Sequence, residues 1–158
     1  MGKYTRMVNM RGYFAIGIEN GKTEANIGTL WRSAYLFGAA YIFTIGRRYK
    51  KQCSDTQKTW RHIPLFHYEN FEDFYSNIPC SCKLIGIEMD DRAIPIKQYE
   101  HPQRAIYLLG AEDNGLTSEA MRKCHDMIVL PGEFSMNVAT AGSIVMFDRQ
   151  NKAIDISA

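Results

Sequence analysis

A mostly parallel α/β sheet with helices on both faces is the fold class predicted for this chain, on three observations. Segments of strand and helix character alternate along it. Several strand segments, AYIFTIG and MIVL among them, are continuous apolar runs, as expected of strands covered on both faces. Polar, glycine-bearing stretches, GAEDNG and PGEFSMN, follow strand ends, where open α/β sheets take their ligands.

The elements follow in order. GYFAIGIE (Gly12 to Glu19) reads as a strand. Asn26 to Phe37 reads as a helix, because Ile27, Leu30, Ala34 and Phe37 fall near one face, and Gly38 ends it. Ala40 to Gly46 is a buried strand, followed by a long polar loop from Arg47 to about His62. Asn70 to Ile78 is a short helix; Lys83 to Met89 and Arg104 to Gly110 are strands. Thr117 to Cys124 is a helix with Thr117 as N-cap and Glu119 in its first turn. Met127 to Leu130 is a strand, and Asn137 to about Asn151 the final helix.

A length of 158 residues suits one domain, taken here as 1–158. The formal net charge is +2, so attraction to nucleic acid requires a local patch. The start, MGKYTRMVNMRG, has no apolar targeting core, and no run approaches the ~18 apolar residues of a membrane span. A reducing, cytoplasmic setting is the expectation for the four cysteines. Cys80 and Cys82 lack the spacing of a zinc knuckle and the histidines lack ligand spacing, so no metal site is expected.

Three segments could carry chemistry. In EANIGTLWRSAYLFGA, Asn26, Gly28 and Arg32 form N-x-G-x-x-x-R; taken alone, a capping Asn, a packing Gly and an exposed Arg explain it better than a site does. In LLGAEDNGLTSE, a plain strand–turn–helix connection accounts for the glycines but less well for Glu112. Neither a dinucleotide fingerprint nor a phosphate loop is present. In LPGEFSMNVATAGS, a run of small residues opens an apolar helix. Small side chains let a ligand, a second chain or another part of this chain approach the backbone.

In this order and spacing the three segments resemble the motifs of the SpoU-type, TrmH-like branch of the SPOUT RNA methyltransferases, from about Glu24 to Phe147. The resemblance implies 2′-O-methylation of RNA ribose with S-adenosylmethionine. It also implies a deep C-terminal trefoil knot, here about 105–148. It places Gly110, Leu130, Ser135 and Met136 against the cofactor and Ile87 at its adenine. Glu112 and Asn137 would shape the catalytic pocket, with Asn26 and Arg32 at the ribose. Because a guanidinium is effectively always protonated, Arg32 is expected to grip phosphate and stabilise oxyanion charge rather than act as a simple base.

The loop GRRYKKQCSDTQKTWRH supplies the local basic patch. Arg47, Arg48, Lys50, Lys51 and Arg61, with Trp60 for stacking, are the expected RNA contacts, although a solvated basic loop has the same composition. The resemblance further implies a homodimer, expected to use the final helix (Ile144, Val145, Phe147) and the helix beginning near Asn26. It also implies an RNA substrate, with tRNA first. Ribosomal RNA, or an inactive RNA-binding module, is the alternative. A nicotinamide-dependent oxidoreductase is disfavoured by the missing fingerprint.

Overall fold

A computed structural model describes residues 12–49, 62–133 and 135–152. Seven strands form one sheet: β1 (Tyr13–Gly21), β2 (Ile42–Arg47), β3 (Leu65–Tyr68), β4 (Lys83–Ile87), β5 (Ile94–Pro95), β6 (Arg104–Leu109) and β7 (Asp126–Val129). Four α-helices accompany them: α1 (Glu24–Phe37), α2 (Phe71–Ser76), α3 (Ser118–Lys123) and α4 (Val138–Asn151). The strand order is β3-β2-β1-β6-β4-β7-β5, and every pairing is parallel.

Successive side chains of the central strands join opposite cores, and this makes three layers. Phe14, Ile16 and Ile18 of β1, with Ala105, Tyr107 and Leu109 of β6, face α1 and α4. Ala15, Ile106 and Leu108 face the other way, onto Phe71 and Phe74 of α2 and Ala120 of α3. Both faces of β6 are therefore sealed, so its apolar run AIYLL is continuous.

Boundaries differ from the sequence reading in informative places. Helix α1 begins at Glu24, with Thr23 at the N-cap, so Asn26 is not a cap and its amide is available to the site. The strand read as Lys83 to Met89 stops at Ile87, and Glu88 and Met89 turn out toward the ligand end. Strands β3 and β5 are additions to the sequence reading. Both are short edges that begin after a proline or contain one, which conceals the strand pattern while limiting edge-to-edge pairing.

The small residues of α4 pack chiefly against the chain itself. A Cβ at Gly142 would lie 2.5 Å from Leu30 Cδ1 and 3.0 Å from Leu109 Cδ1. One step further, the Ser143 hydroxyl sits 2.9 Å from that of Ser33 on α1. Close approach of α4 to α1 and the sheet thus requires this run. The chain leaves β6 at the centre, travels outward to β7 and returns over α1, a path that fits the knotted fold of the resemblance. No helix among the described residues is long and apolar enough to cross a membrane.

Candidate active site

At the carboxyl ends of β4, β6 and β7 lies a cavity of about 470 Å³. Ile87, Gly110, Leu130, Ser135 and Met136, all five positions expected at the cofactor, line it together with Glu112. Parallel pairing brings them together, since it aligns the strand ends from which these residues project. Ile87 is buried, whereas Ser135 and Met136 are exposed at the rim.

The wall at Gly110 is made of backbone. A Cβ there would fall 2.3 Å from the carbonyl carbon of Gly115 and 2.4 Å from the nitrogen of Leu116. The loop between them closes on itself: Ala111 and Gly115 exchange backbone hydrogen bonds of 3.2 and 2.9 Å. Gly115, with φ +65°, adopts the left-handed backbone that the turn needs.

This closed loop presents Glu112. Its carboxylate accepts from the Asn26 amide at 2.7 Å and from the Lys22 backbone N–H at 3.0 Å. Burial acts to raise the Glu112 pKa, but these donors, with the N–H groups of Glu112 and Thr23, outweigh it and hold the carboxyl below its usual value. An ionised carboxylate only accepts, so the Asn26 NH₂ must face it and the Asn26 carbonyl oxygen must face away. That oxygen receives the Asn137 amide at 3.1 Å. The Asn137 oxygen in turn accepts from the Thr140 N–H at 3.1 Å, capping α4. One directional chain of hydrogen bonds, Thr140–Asn137–Asn26–Glu112, therefore joins all three sequence motifs.

Arg32 is exposed on α1, six residues beyond Asn26, and outside this chain of contacts. Trp31 donates its indole N–H to the Ile63 carbonyl at 3.0 Å, and the Tyr35 ring stacks on His62 at 4.4 Å. His62 and Ile63 thus rest on α1 near Arg32.

Of the expected RNA contacts, Lys50, Lys51, Trp60 and Arg61 lie outside the described residues. Arg47 is exposed at the carboxyl end of β2. Arg48 is exposed but engaged. Its guanidinium makes a two-pronged contact with Asp113 at 2.9 and 2.5 Å and donates to the Asn20 carbonyl at 3.1 Å. This contact holds the Asp113 carboxyl down to about 2. Arg48 therefore braces the loop that carries Glu112.

Two acidic residues escape the sequence reading. Glu19, 1% exposed at the end of β1, accepts from the Thr117 N–H at 2.8 Å and lies 3.0 Å from its hydroxyl. Burial raises its pKa against these bonds. Glu88 accepts from the Leu116 N–H at 2.8 Å and from the Met89 N–H at 2.9 Å. In sequence each looks like an ordinary strand-end residue; only the sheet brings them under the loop that follows β6.

The comparisons with known proteins agree with this geometry. A family model described as the SpoU rRNA Methylase family matches residues 13–147. The 23S rRNA (guanosine-2'-O-)-methyltransferase RlmB of Acinetobacter baylyi is 29% identical over 69 residues, 42% of this chain and 28% of that protein. An AdoMet-bound rRNA methyltransferase from Sinorhizobium meliloti superposes with a TM-score of 0.75 at 21% identity, over 89% of this chain and 57% of that one. A structure described for 2-OH methylation of C/U34 on tRNA superposes with a TM-score of 0.77 at 16% identity, over 89% of this chain and 96% of that one. At these identities the structural likeness establishes the fold. The chain spans less than two thirds of the length of the curated relatives it matches. Since the family match runs through all three motifs and the strands and helices that carry them, this chain belongs to the SpoU rRNA methylase family.

Proposed function

We propose that this chain, acting as a single domain, transfers a methyl group from S-adenosylmethionine to a ribose 2′-hydroxyl of RNA, with tRNA as the first substrate class to test. The observation that carries the reading is the hydrogen-bonded chain Asn137–Asn26–Glu112 at the edge of the strand-end cavity. S-adenosylmethionine is the expected cofactor, and the residues present suit it. The cavity has the volume usual for a small-molecule site. Its walls are apolar side chains (Ile87, Leu109, Leu116, Leu130) and close-packed backbone, surfaces that take an adenine ring. Among the described residues its lining includes no Lys, Arg or His, so it suits a ligand without phosphates better than a dinucleotide.

When bound, the cofactor supplies an already activated methyl group, and the protein's task is to position the accepting oxygen. Glu112, Asn26 and Asn137 fix the shape of the rim through their one-way hydrogen bonds. Arg32 stands near where His62 and Ile63 rest on α1, suited to grip a backbone phosphate and to stabilise charge developing on the 2′-oxygen. The loop's cations would attract the RNA backbone. A homodimer pairing α1 and α4 fits the exposed Leu36 (62%) and Phe147 (59%) on these two helices. Val145, expected on that surface, is instead fully buried in the chain's own core.

Calorimetry with S-adenosylmethionine and its demethylated product, followed by transfer of a labelled methyl group to bulk tRNA and to ribosomal RNA, tests the reading. Binding plus 2′-O-methylated tRNA is the expected result. Methylated ribosomal RNA alone would move the substrate class. Binding without transfer to either would reduce the protein to an RNA-binding module, and no binding by folded protein would remove the proposal.

A further inference from the structure

The cavity wall carries several carboxylates, and they are not equivalent. Asp113 is paired with Arg48, and Asp90 lies 3.3 Å from Arg92. Glu112 is held by neutral donors, but Arg48 lies within electrostatic reach. Glu88 differs. Both of its oxygens are fixed by backbone N–H groups, Met89 and Leu116, and it makes no ion pair among the described residues. Its carboxylate thus brings to the cavity a negative charge that no described side chain pairs with. The lining among the described residues contributes no cation.

We propose that Glu88 is a charge-recognition residue of this site, favouring the cationic methyl donor over its neutral demethylated product. This rests on the function proposed above and goes beyond it. Methyl transfer breaks the sulfur–methyl bond and forms an oxygen–methyl bond. The bonding electron pair stays on sulfur, and the hydroxyl proton passes to solvent. The ligand left in the cavity therefore carries one positive charge fewer than the ligand that entered. A fixed, unpaired carboxylate binds the first more strongly than the second, which favours exchange of spent cofactor for fresh. Rigidity matters here. With both oxygens tied, and Gly115 packed so closely that a Cβ would lie 2.4 Å from Oε2, the carboxylate cannot swing away into water.

The test measures affinities for S-adenosylmethionine and S-adenosylhomocysteine by calorimetry, in the full chain and in Glu88→Gln, at low and high salt. A residue that only props the Leu116 turn would affect both ligands alike, so the ratio of the two affinities is the readout. The expected result in Glu88→Gln is about tenfold weaker binding of the cationic ligand, with the neutral one changed by less than about twofold. In the unaltered protein, raising the salt from about 50 to about 500 mM should weaken the cationic ligand selectively. An unchanged ratio in Glu88→Gln overturns the proposal while leaving the methyltransferase reading intact. If that variant does not fold, the salt comparison decides, and an equal salt response for both ligands overturns it. Failure of the unaltered protein to bind either ligand would remove this proposal and the proposed function together.

Discussion

Single atoms decide whether this site closes. Adding one methyl at Gly110 would drive it into the backbone of Gly115 and Leu116, which has no flexible end to retreat. Gly110→Ala should therefore lose cofactor binding and lose stability, by roughly the 1–3 kcal/mol typical of overpacking or more, read by chemical denaturation. Wild-type affinity in that variant would show that the loop can open at little cost. Glu19 allows a sharper comparison. In Glu19→Gln the amide oxygen still accepts from the Thr117 N–H and the NH₂ can face the hydroxyl, so stability should hold, most clearly above the raised pKa of the native carboxyl. Glu19→Ala instead leaves the Thr117 N–H without its acceptor, costing roughly 1–3 kcal/mol by chemical denaturation. Arg32→Ala tests the proposed function rather than folding. Turnover should fall by ~10²–10³, as for loss of one preorganised donor, with cofactor affinity within a few-fold. Near-native turnover at saturating RNA would make Arg32 a surface residue.

Among the elements, α4 is tied to the proposed site at the residue that caps it. Asn137 caps the helix through its oxygen and reaches Asn26 through its nitrogen. Asn137→Asp separates the two tasks. The carboxylate can still cap Thr140, and its charge suits a helix N-terminus, so thermal stability should be kept or raised slightly. It cannot donate to Asn26, and turnover should drop. Equal turnover would remove the hydrogen-bonded chain from the mechanism. The basic loop is tested as an element too. Replacing Arg47, Lys50 and Lys51 with Ala should flatten the salt dependence of RNA binding, by roughly 0.7 to 0.9 in log–log slope for each phosphate no longer neutralised. Arg48→Ala should additionally disturb the Glu112 loop, because it removes the brace on Asp113. An unchanged slope in the triple variant would make the loop a solvated face.

For the whole molecule, a second buried network lies at the end of the sheet opposite the cavity. Arg149, 2% exposed, donates to the Pro102 and Gln103 carbonyls at 2.7 and 2.9 Å. His101 bridges the Tyr107 hydroxyl at 2.6 Å and Asp148 at 2.7 Å. The neutral ring satisfies both contacts, accepting from Tyr107 and donating to Asp148, and a second ring proton would face the hydroxyl hydrogen. Burial, against the pull of Asp148, lowers the His101 pKa from 6.5. The unfolded chain then takes up the proton first, so stability is full above 6.5 and declines as pH falls through 6.5 toward the folded value. A melting temperature that drops between about pH 7 and pH 5 should result, with a smaller drop in His101→Asn. His67, lowered chiefly by burial, supplies part of the remainder. Identical profiles in both proteins would remove His101 from this role. Light scattering at micromolar concentration tests the dimer: twice the chain mass is expected, and a monomer mass would leave Leu36 and Phe147 as ordinary exposed apolar side chains.

The order of the longer strands and helices was legible in the chain because strands sealed on both faces are continuously apolar, as AIYLL of β6 and MIV of β7 are. That Ile87, Gly110, Leu130, Ser135 and Met136 belong together, and likewise Asn26, Glu112 and Asn137, was an expectation the resemblance supplied; the structure gathers the first set around one cavity and the second into one chain of hydrogen bonds. The hydrogen-bond partners were not legible in the sequence. Asn26 lies 86 residues from Glu112 and 111 from Asn137, and no local pattern reports a hydrogen bond across such distances. The edge strands β3 and β5 were obscured because few residues and a nearby proline carry almost no periodicity. Glu19 and Glu88 acquire their meaning only when parallel pairing sets the ends of β1, β4 and β6 side by side, placing two carboxylates under the N–H groups of Leu116 and Thr117. Composition and spacing determined the layers and the motifs of this protein; the tertiary structure alone decided which charges lie against the cavity without an ionic partner, because pairing between side chains is a property of distance in space.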